Sequence, residues 1–524
     1  MKTTRRPAFE WSVVIAAAAI LALYVSATGR RGVYFFDTSI NYNMGWLIYN
    51  GRKPYIDFPM PLMPLSGILT ALSFALFGIR YLASVYMAAI LSGAGVLVCF
   101  GALRRILPWC YAAFFSVTLN AVAIPLVGTL YYNHLTVALA GMTICLLLAR
   151  MAEGIAGRAS GGYALIYAAG AVVTLSKFHV GALILGAVFA MHAWEILARP
   201  KFSIVSAIRE LAISLIPALA IGLGFWIWLR CSPRLILENL LGTASPRLSL
   251  HAIKDFFFGS LDIRAQPELN GVLLVAAVGA VAFFMARRGW LKGAALRFVA
   301  LAAMLLGCAL FLALTSEESP SCNDAFYLLS LIALGLALDQ APKEQFEQGM
   351  QVAWAGMTIP FTAFLLFSVS YTIEGSRRSY DELKGAYVPY KRSDLTFSSW
   401  ESLPFFQGVS MRPAEVWQIQ AMLSLIAQKP NAKVFFGPEL EMLYAATGQL
   451  PARGWPLWIH QGVSVKDSEY PGFEAAFNQQ DYDLVFLSMR RRSHTPFIEA
   501  DLSKRYKKGD WNDPRAWVTY WIKQ

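Results

Sequence analysis

The stretch Tyr34–Pro64, YFFDTSINYNMGWLIYNGRKPYIDFPMPLMP, follows the first apolar run of the chain and decides how the rest is read. Asp37 stands a few residues past that run. Asp57 comes behind Pro54-Tyr55 and ahead of a Pro-rich turn. A carboxylate held at a membrane surface is placed to activate an acceptor hydroxyl beside a lipid-carried substrate. A helix cap or a solvated loop acid is the competing reading of Asp37, which precedes Thr38-Ser39 and a helical pattern ending at Asn50-Gly51.

The preceding run, Trp11–Thr28, follows Lys2, Arg5 and Arg6. It is long for a signal-peptide core and no small-x-small cleavage site follows, so a retained anchor is expected. At 524 residues, 56% hydrophobic and mean hydropathy +0.48, the chain is too apolar for an ordinary soluble protein. Runs of roughly 17–25 apolar residues recur, as a hydrocarbon core about 30 Å thick requires.

With the N-terminus cytoplasmic, the first span exits near Gly29. Leu62–Gly78 and Tyr81–Leu103 follow, the latter ending in Arg104-Arg105. If both crossed, Arg104-Arg105 would face outside and every later basic turn would change side. Leu62–Gly78 is therefore expected to lie shallow in the interface. The remaining spans are expected near 111–129, 133–150, 162–176, 180–197, 211–229, 270–286, 294–314, 324–338 and 350–371. Inside turns then collect Arg150 and Arg158, then Arg199, Lys201 and Arg209, then Arg287, Arg288, Lys292 and Arg297; Asp339–Glu347 is an acidic exception. About 11 spans, an odd number, put residues 372–524 outside, with the Asp37 loop and the loops at 230–269 and 315–323.

The net charge of +12 sits mostly in residues 1–371, with 26 Lys+Arg against 16 Asp+Glu; residues 372–524 hold 19 and 17. Basic residues beside spans are topology signals, so no nucleic-acid partner is implied. The six cysteines show no metal-ligand spacing, and no GxGxxG or Walker loop is present. Residues 372–524 read as a soluble α/β domain. Its expected strands are Lys433–Gly437 and Asp483–Ser488, and Gly448 caps an expected helix, Glu439–Thr447. The fold class is thus a polytopic α-helical membrane protein with an interfacial helix in its first external loop and an extracytoplasmic C-terminal α/β domain.

Lys177, in Leu175-Ser176-Lys177-Phe178-His179, lies between two spans that meet on the external side; a snorkelling lysine is the plain alternative. Tyr131-Tyr132-Asn133-His134 reads as interface anchoring. The 230–269 loop carries Arg230, Arg234, Arg247, His251 and Lys254 around apolar Leu235–Leu241, as a surface-lying segment does. Glu317-Glu318 and Asp324 face it, as sugar-binding or solvated acids. Gly437-Pro438-Glu439 and the tryptophans of Gly454–His460 stand out in the C-terminal part, where core packing outweighs sugar stacking as a reading. Arg490-Arg491-Arg492 and Lys504–Lys508 read as solvated charge.

Asp37, Gly51-x-x-Pro54-Tyr55-x-Asp57, Pro61-Leu62 and the interfacial helix with Phe77-Gly78 together resemble the first external loop of the GT-C glycosyltransferases, among them the bacterial protein O-mannosyltransferases and lipid A aminoarabinose transferases. The resemblance covers residues 9–370 in topology, but its residue-level motif is confined to this loop and Lys177. It implies a GT-C-like transmembrane catalytic domain over residues 1–371, in the cytoplasmic (inner) membrane. It also implies transfer of a sugar from a polyprenyl-phosphate donor to a glycan, lipid or protein acceptor, with inversion. Asp37 and Asp57 would be the catalytic acids. Lys177, assisted by His179 and by Arg234 or Arg247, would hold the donor phosphate. Many members carry two adjacent acids where this chain has Asp37-Thr38, which leaves a divalent cation open and shifts weight to Asp57. A transporter or flippase of lipid-linked saccharides is the alternative; it would place charges near mid-membrane rather than at one face.

Overall fold

The computed structural model of the 524-residue chain describes residues 7–33, 35–123, 128–155, 162–199, 202–241, 279–280, 282–315, 320–340, 378–381, 386–389, 396–397, 404–459, 464–465, 467–489, 496–513 and 516–524. The expected span at 350–371, most of that at 270–286 and the expected 371/372 domain boundary lie outside them.

The membrane part runs α1 (Pro7–Thr28), α2 (Phe35–Tyr49), α3 (Leu65–Phe77), α4 (Tyr81–Leu103), α5 (Trp109–Ala123), α6 (Tyr132–Ile155), α7 (Tyr163–Ser176), α8 (Phe178–Leu197), α9 (Ile204–Leu229), α10 (Pro233–Leu241), α11 (Gly293–Thr315) and α12 (Pro320–Asp339). Among the described residues five of these, α1, α4, α6, α8 and α9, are long and apolar enough to cross a bilayer.

Two kinds of contact define the two ends of the bundle. At one end, ion pairs tie Arg104 to Glu10 (2.6 Å), Arg105 to Glu153 (2.6 Å), Arg150 to Glu195 (2.7 Å) and Arg199 to Glu210 (2.5 Å). These join the start of α1 to the end of α4, the end of α6 to α4 and α8, and the end of α8 to the start of α9. At the other end, the Leu130 N–H donates to Ser84 Oγ (3.2 Å), and Thr136 and Ser176 hydroxyls meet at 2.8 Å. Gly29, just past α1, lies so close to Gly128 that an added Cβ would sit 2.6 Å from the Gly128 carbonyl oxygen.

This fixes the first loop. α1 leaves at the second end and α4 starts there, so α2 and α3 form a hairpin that returns to its starting level. At 13 residues α3 spans about 20 Å, short of a hydrocarbon core of about 30 Å. The shallow helix expected at Leu62–Gly78 is therefore α3. Its contact with α2 is close because glycines permit it: a Cβ on Gly45 would meet Thr70 Cγ2 at 2.4 Å, and one on Gly67 would meet Met44 Cγ at 2.3 Å.

In the C-terminal part, β1 (Arg378–Asp381) pairs antiparallel with β2 (Ala386–Pro389), and β3 (Thr396–Phe397) with β4 (Ser410–Met411). Beyond them come α13 (Pro413–Ala427), β5 (Val434–Phe436), α14 (Met442–Thr447), α15 (Tyr470–Gln480), β6 (Leu484–Ser488), α16 (Pro496–Arg505), β7 (Tyr506–Lys508) and β8 (Val518–Lys523). The larger sheet has the order β5-β6-β8-β7, with β5 and β6 parallel and the other pairs antiparallel. β5 and β6 are buried along their whole length, as their apolar runs require. The helix expected from Glu439 starts three residues later, at Met442, because Glu439 has φ +72°; it ends as read, at Gly448 with φ +72°.

One apolar core is common to both parts. Phe35, Tyr42 and Trp46 of α2, Phe74 of α3 and Tyr81 of α4 are buried with Phe405, Phe406, Met411 and Trp517. The Phe35 and Trp517 rings lie 5.1 Å apart, and Tyr42 stacks on Tyr81 while its hydroxyl donates to the Tyr81 carbonyl.

Candidate functional site

Among the described residues, Asp57, Lys177 and the backbone of Asp37 lie at the end of the bundle where α2 and α3 lie. Asp37 is the third residue of α2, so its backbone stands in a helical first turn, where the helix dipole favours negative charge. Its side chain lies outside the described residues. The following turn, Thr38 and Ser39, is fully buried.

Asp57 sits in a turn that its own carboxylate closes. Oδ2 accepts the Lys53 N–H at 2.7 Å, while the Asp57 N–H donates to the Lys53 carbonyl at 2.8 Å. Tyr55 inside that turn has φ +66°, which a bulky residue adopts only when its surroundings impose it. Here its buried hydroxyl donates to the Leu62 carbonyl at 2.7 Å. Arg453 of the C-terminal part stands 3.7 Å from Asp57 Oδ1. The carboxylate thus shapes the loop, and Oδ1 faces a guanidinium.

Lys177 lies at the tip between α7 and α8 and is buried. Its ammonium donates to Asn133 Oδ1 at 2.8 Å and stands 5.8 Å from the centre of the Tyr132 ring. A snorkelling lysine reaches outward to water; this one is folded back onto the start of α6, with only 7% of its surface exposed. His179, two residues further on, packs its ring on Phe311 of α11 at 5.2 Å.

In the described part of the loop after α9, Arg234 contributes less than its charge suggests. Arg234 pairs with Glu238 one helical turn away at 2.7 Å, and its side chain is 88% exposed. Such a pair is worth little by itself. α10 still touches the first loop, because Asn239 Oδ1 accepts the Met60 N–H at 3.1 Å, and so does the end of α9, where Lys53 Nζ lies 4.5 Å over the Trp228 ring. Arg247, His251, Lys254 and Glu317-Glu318, with the side chain of Asp324, lie outside the described residues.

The sequence missed the partner that the first loop finds 400 residues away. Ser39 Oγ donates to the Glu439 carbonyl at 3.0 Å and accepts the Met442 N–H at 2.9 Å. Asn43 Nδ2 donates to the Leu457 carbonyl at 3.1 Å, and Trp46 Nε1 to the Gln449 carbonyl at 2.6 Å. Ser39, Asn43 and Trp46 are spaced i, i+4 and i+7, one face of α2. Glu439 and Glu441 are buried beside Ser39; burial, with Glu439 nearby, pushes the Glu441 carboxyl up to about 8.

Among the described residues no group of three or more His, Cys, Asp or Glu is placed to hold a metal ion. The chemistry on view is a lysine at a hairpin tip, a carboxylate-bearing helix on the same end, and a domain closing over that helix.

The fold is an ArnT-like membrane fold, and the chain is an integral membrane protein. It is similar to the crystal structure of ArnT from Cupriavidus metallidurans bound to undecaprenyl phosphate, with TM-score 0.53 and 14% identity over 98% of this chain and 97% of that one. To the apo state of that protein the TM-score is 0.55, with 15% identity and 98% of both chains covered. An oligosaccharyltransferase of Archaeoglobus fulgidus, in complex with zinc and sulfate, gives a TM-score of 0.42 at 13% identity, over 91% of this chain and 68% of that one. No family model and no curated relative matches the sequence.

Proposed function

We propose that the protein is a glycosyltransferase that moves a sugar from a polyprenyl-phosphate donor to a glycan, lipid or protein acceptor at the external face of the cytoplasmic membrane. The observation that carries this reading is Lys177, a lysine buried at the α7–α8 tip and held by Asn133, at the same end as the helix bearing Asp37. The fold shared with a protein that binds undecaprenyl phosphate supports it.

In this mechanism Asp37 takes the proton of the acceptor hydroxyl. The oxygen attacks the anomeric carbon, the bond from that carbon to the phosphate oxygen breaks, and configuration inverts. The departing polyprenyl phosphate keeps the electron pair, and the Lys177 ammonium offsets its charge. Asp57 acts mainly by holding the loop in shape, as its bond to Lys53 suggests. His179, Arg234 and Arg247 are secondary candidates for the donor.

A strain lacking the gene should accumulate one sugar-charged polyprenyl phosphate and lose one envelope glycan, both read by mass spectrometry. If neither changes, the proposal fails.

A further inference from the structure

We infer that the C-terminal segment 437–459 is a positioning element for the transfer site, and that Ser39, with Trp46, is the positioning residue through which it sets helix α2. The inference rests on the reading of Asp37 as the acceptor-side acid.

α2 is a single 15-residue helix, marginal by itself in water and carried on a loop. One side is fixed by α3, where Ser66 Oγ donates to Asn41 Oδ1 at 2.8 Å and Gly45 lies on Thr70. The opposite constraint comes from 437–459. Ser39, Asn43 and Trp46 bond three backbone carbonyls of that segment, and Ser39 also takes the Met442 N–H.

The same segment grips the second half of the loop. The Gly454 N–H donates to the Asp57 carbonyl at 2.7 Å, the Leu457 N–H to the Pro59 carbonyl at 3.0 Å, and Arg52 to the Pro451 carbonyl at 3.4 Å. Backbone carbonyls and amides present fixed directions, unlike long charged side chains, so they set the azimuth and height of α2 rather than merely covering it. Ser39 lies two residues from Asp37, and any rotation of α2 about its axis moves both. A shift of about 1 Å at a reacting group costs on the order of a hundredfold in rate.

Two features mark the segment as held under constraint. Glu439, which offers its carbonyl to Ser39, has φ +72° while nearly fully buried. Glu441 is a buried carboxyl at the same contact.

The test uses the full-length protein in detergent or nanodiscs, with Ser39→Ala and the milder Trp46→Phe, which keeps an aromatic ring. Hydrogen exchange of the α2 amides should quicken roughly two- to tenfold for each hydrogen bond lost, with α7 and α8 unchanged. Transfer should lose about ten- to a hundredfold in kcat at unchanged donor KM, and binding of undecaprenyl phosphate, used as the probe, should not move. Unchanged α2 exchange, or faster exchange with wild-type transfer, overturns the positioning role and leaves the glycosyltransferase reading intact. Wild-type protein that binds the probe yet transfers no sugar from any polyprenyl-phosphate donor overturns that reading and this inference with it.

Discussion

Asn133 Oδ1 accepts from Lys177 Nζ at 2.8 Å, joining the first turn of α6 to the α7–α8 tip. An amide oxygen that accepts from the ammonium fixes the direction in which it points. Lys177→Ala should weaken undecaprenyl phosphate binding about ten- to a hundredfold, the value of one charge-assisted phosphate contact of roughly 1.5–3 kcal/mol. Asn133→Ala leaves the cation and loosens only its orientation, so a loss of roughly two- to tenfold is expected. Equal affinities for wild type and Lys177→Ala in a titration of the purified protein would return Lys177 to a structural lysine.

The α2–α3 contact should tolerate no added methyl. Gly45→Ala places its Cβ 2.4 Å from Thr70 Cγ2, and overpacking of this kind costs about 1–3 kcal/mol. Gly186→Ala, in α8, meets nothing within 4 Å and should be neutral or slightly stabilising. Thermal unfolding of the two variants in one detergent checks the contrast. Equal melting temperatures would mean that the hairpin gives way easily.

How far the sequence carried is clearest from particular residues. Arg104-Arg105 implied that Leu62–Gly78 does not cross, and the Arg104–Glu10 pair places the end of α4 beside the start of α1. Charge asymmetry is a property of single turns and survives without tertiary information. The strand pair around Val434–Phe436 and Leu484–Ser488 was legible because fully buried strands are apolar throughout. The bonds from Ser39 to Glu439 and Met442 were not, since a polar residue facing a distant backbone has the same letter as one facing water. The i, i+4, i+7 spacing of Ser39, Asn43 and Trp46 was the available signal. Asp57 likewise carried no mark of its bond to Lys53, which depends on the turn that Tyr55 and Gly51 permit.

Glu441 should make the C-terminal contact sensitive to pH. Its carboxyl is pushed up to about 8 by burial, whereas the unfolded chain titrates near 4.5. Below about 4.5 both states are protonated and the fold suffers no penalty. As pH rises from there to about 8 the folded state binds the extra proton, so stability falls; above about 8 it levels off. Glu441→Gln, neutral throughout, should lose less melting temperature than wild type between pH 5 and 8.5. Parallel curves would show that Glu441 ionises freely in the folded protein.

Sidedness has its own test. The expected odd number of spans would put the end of the chain opposite its start, so a reporter active only outside the cytoplasm, fused after Gln524, should be active. An inactive fusion at normal expression would invert the protein in the membrane and place the Asp37 end of the bundle, with the C-terminal part packed on it, in the cytoplasm.

Asp37→Asn separates the readings of the first loop most sharply. Asn keeps the shape and nearly all the hydrogen bonding of Asp while removing the charge and the basic oxygen. Asp37 stands in the first turn of α2, where a purely structural carboxylate would contribute about 0.3–1 kcal/mol through the helix dipole. A structural role therefore predicts a small loss of stability and wild-type transfer. A general base predicts normal folding, intact binding of undecaprenyl phosphate through Lys177, and transfer reduced by about 10²–10⁴-fold. A transporter of lipid-linked saccharides would instead keep moving its substrate, with at most a modest change in affinity. Full transfer by Asp37→Asn membranes, assayed with the donor that accumulates in the deletion strain, would end the mechanism proposed for this loop.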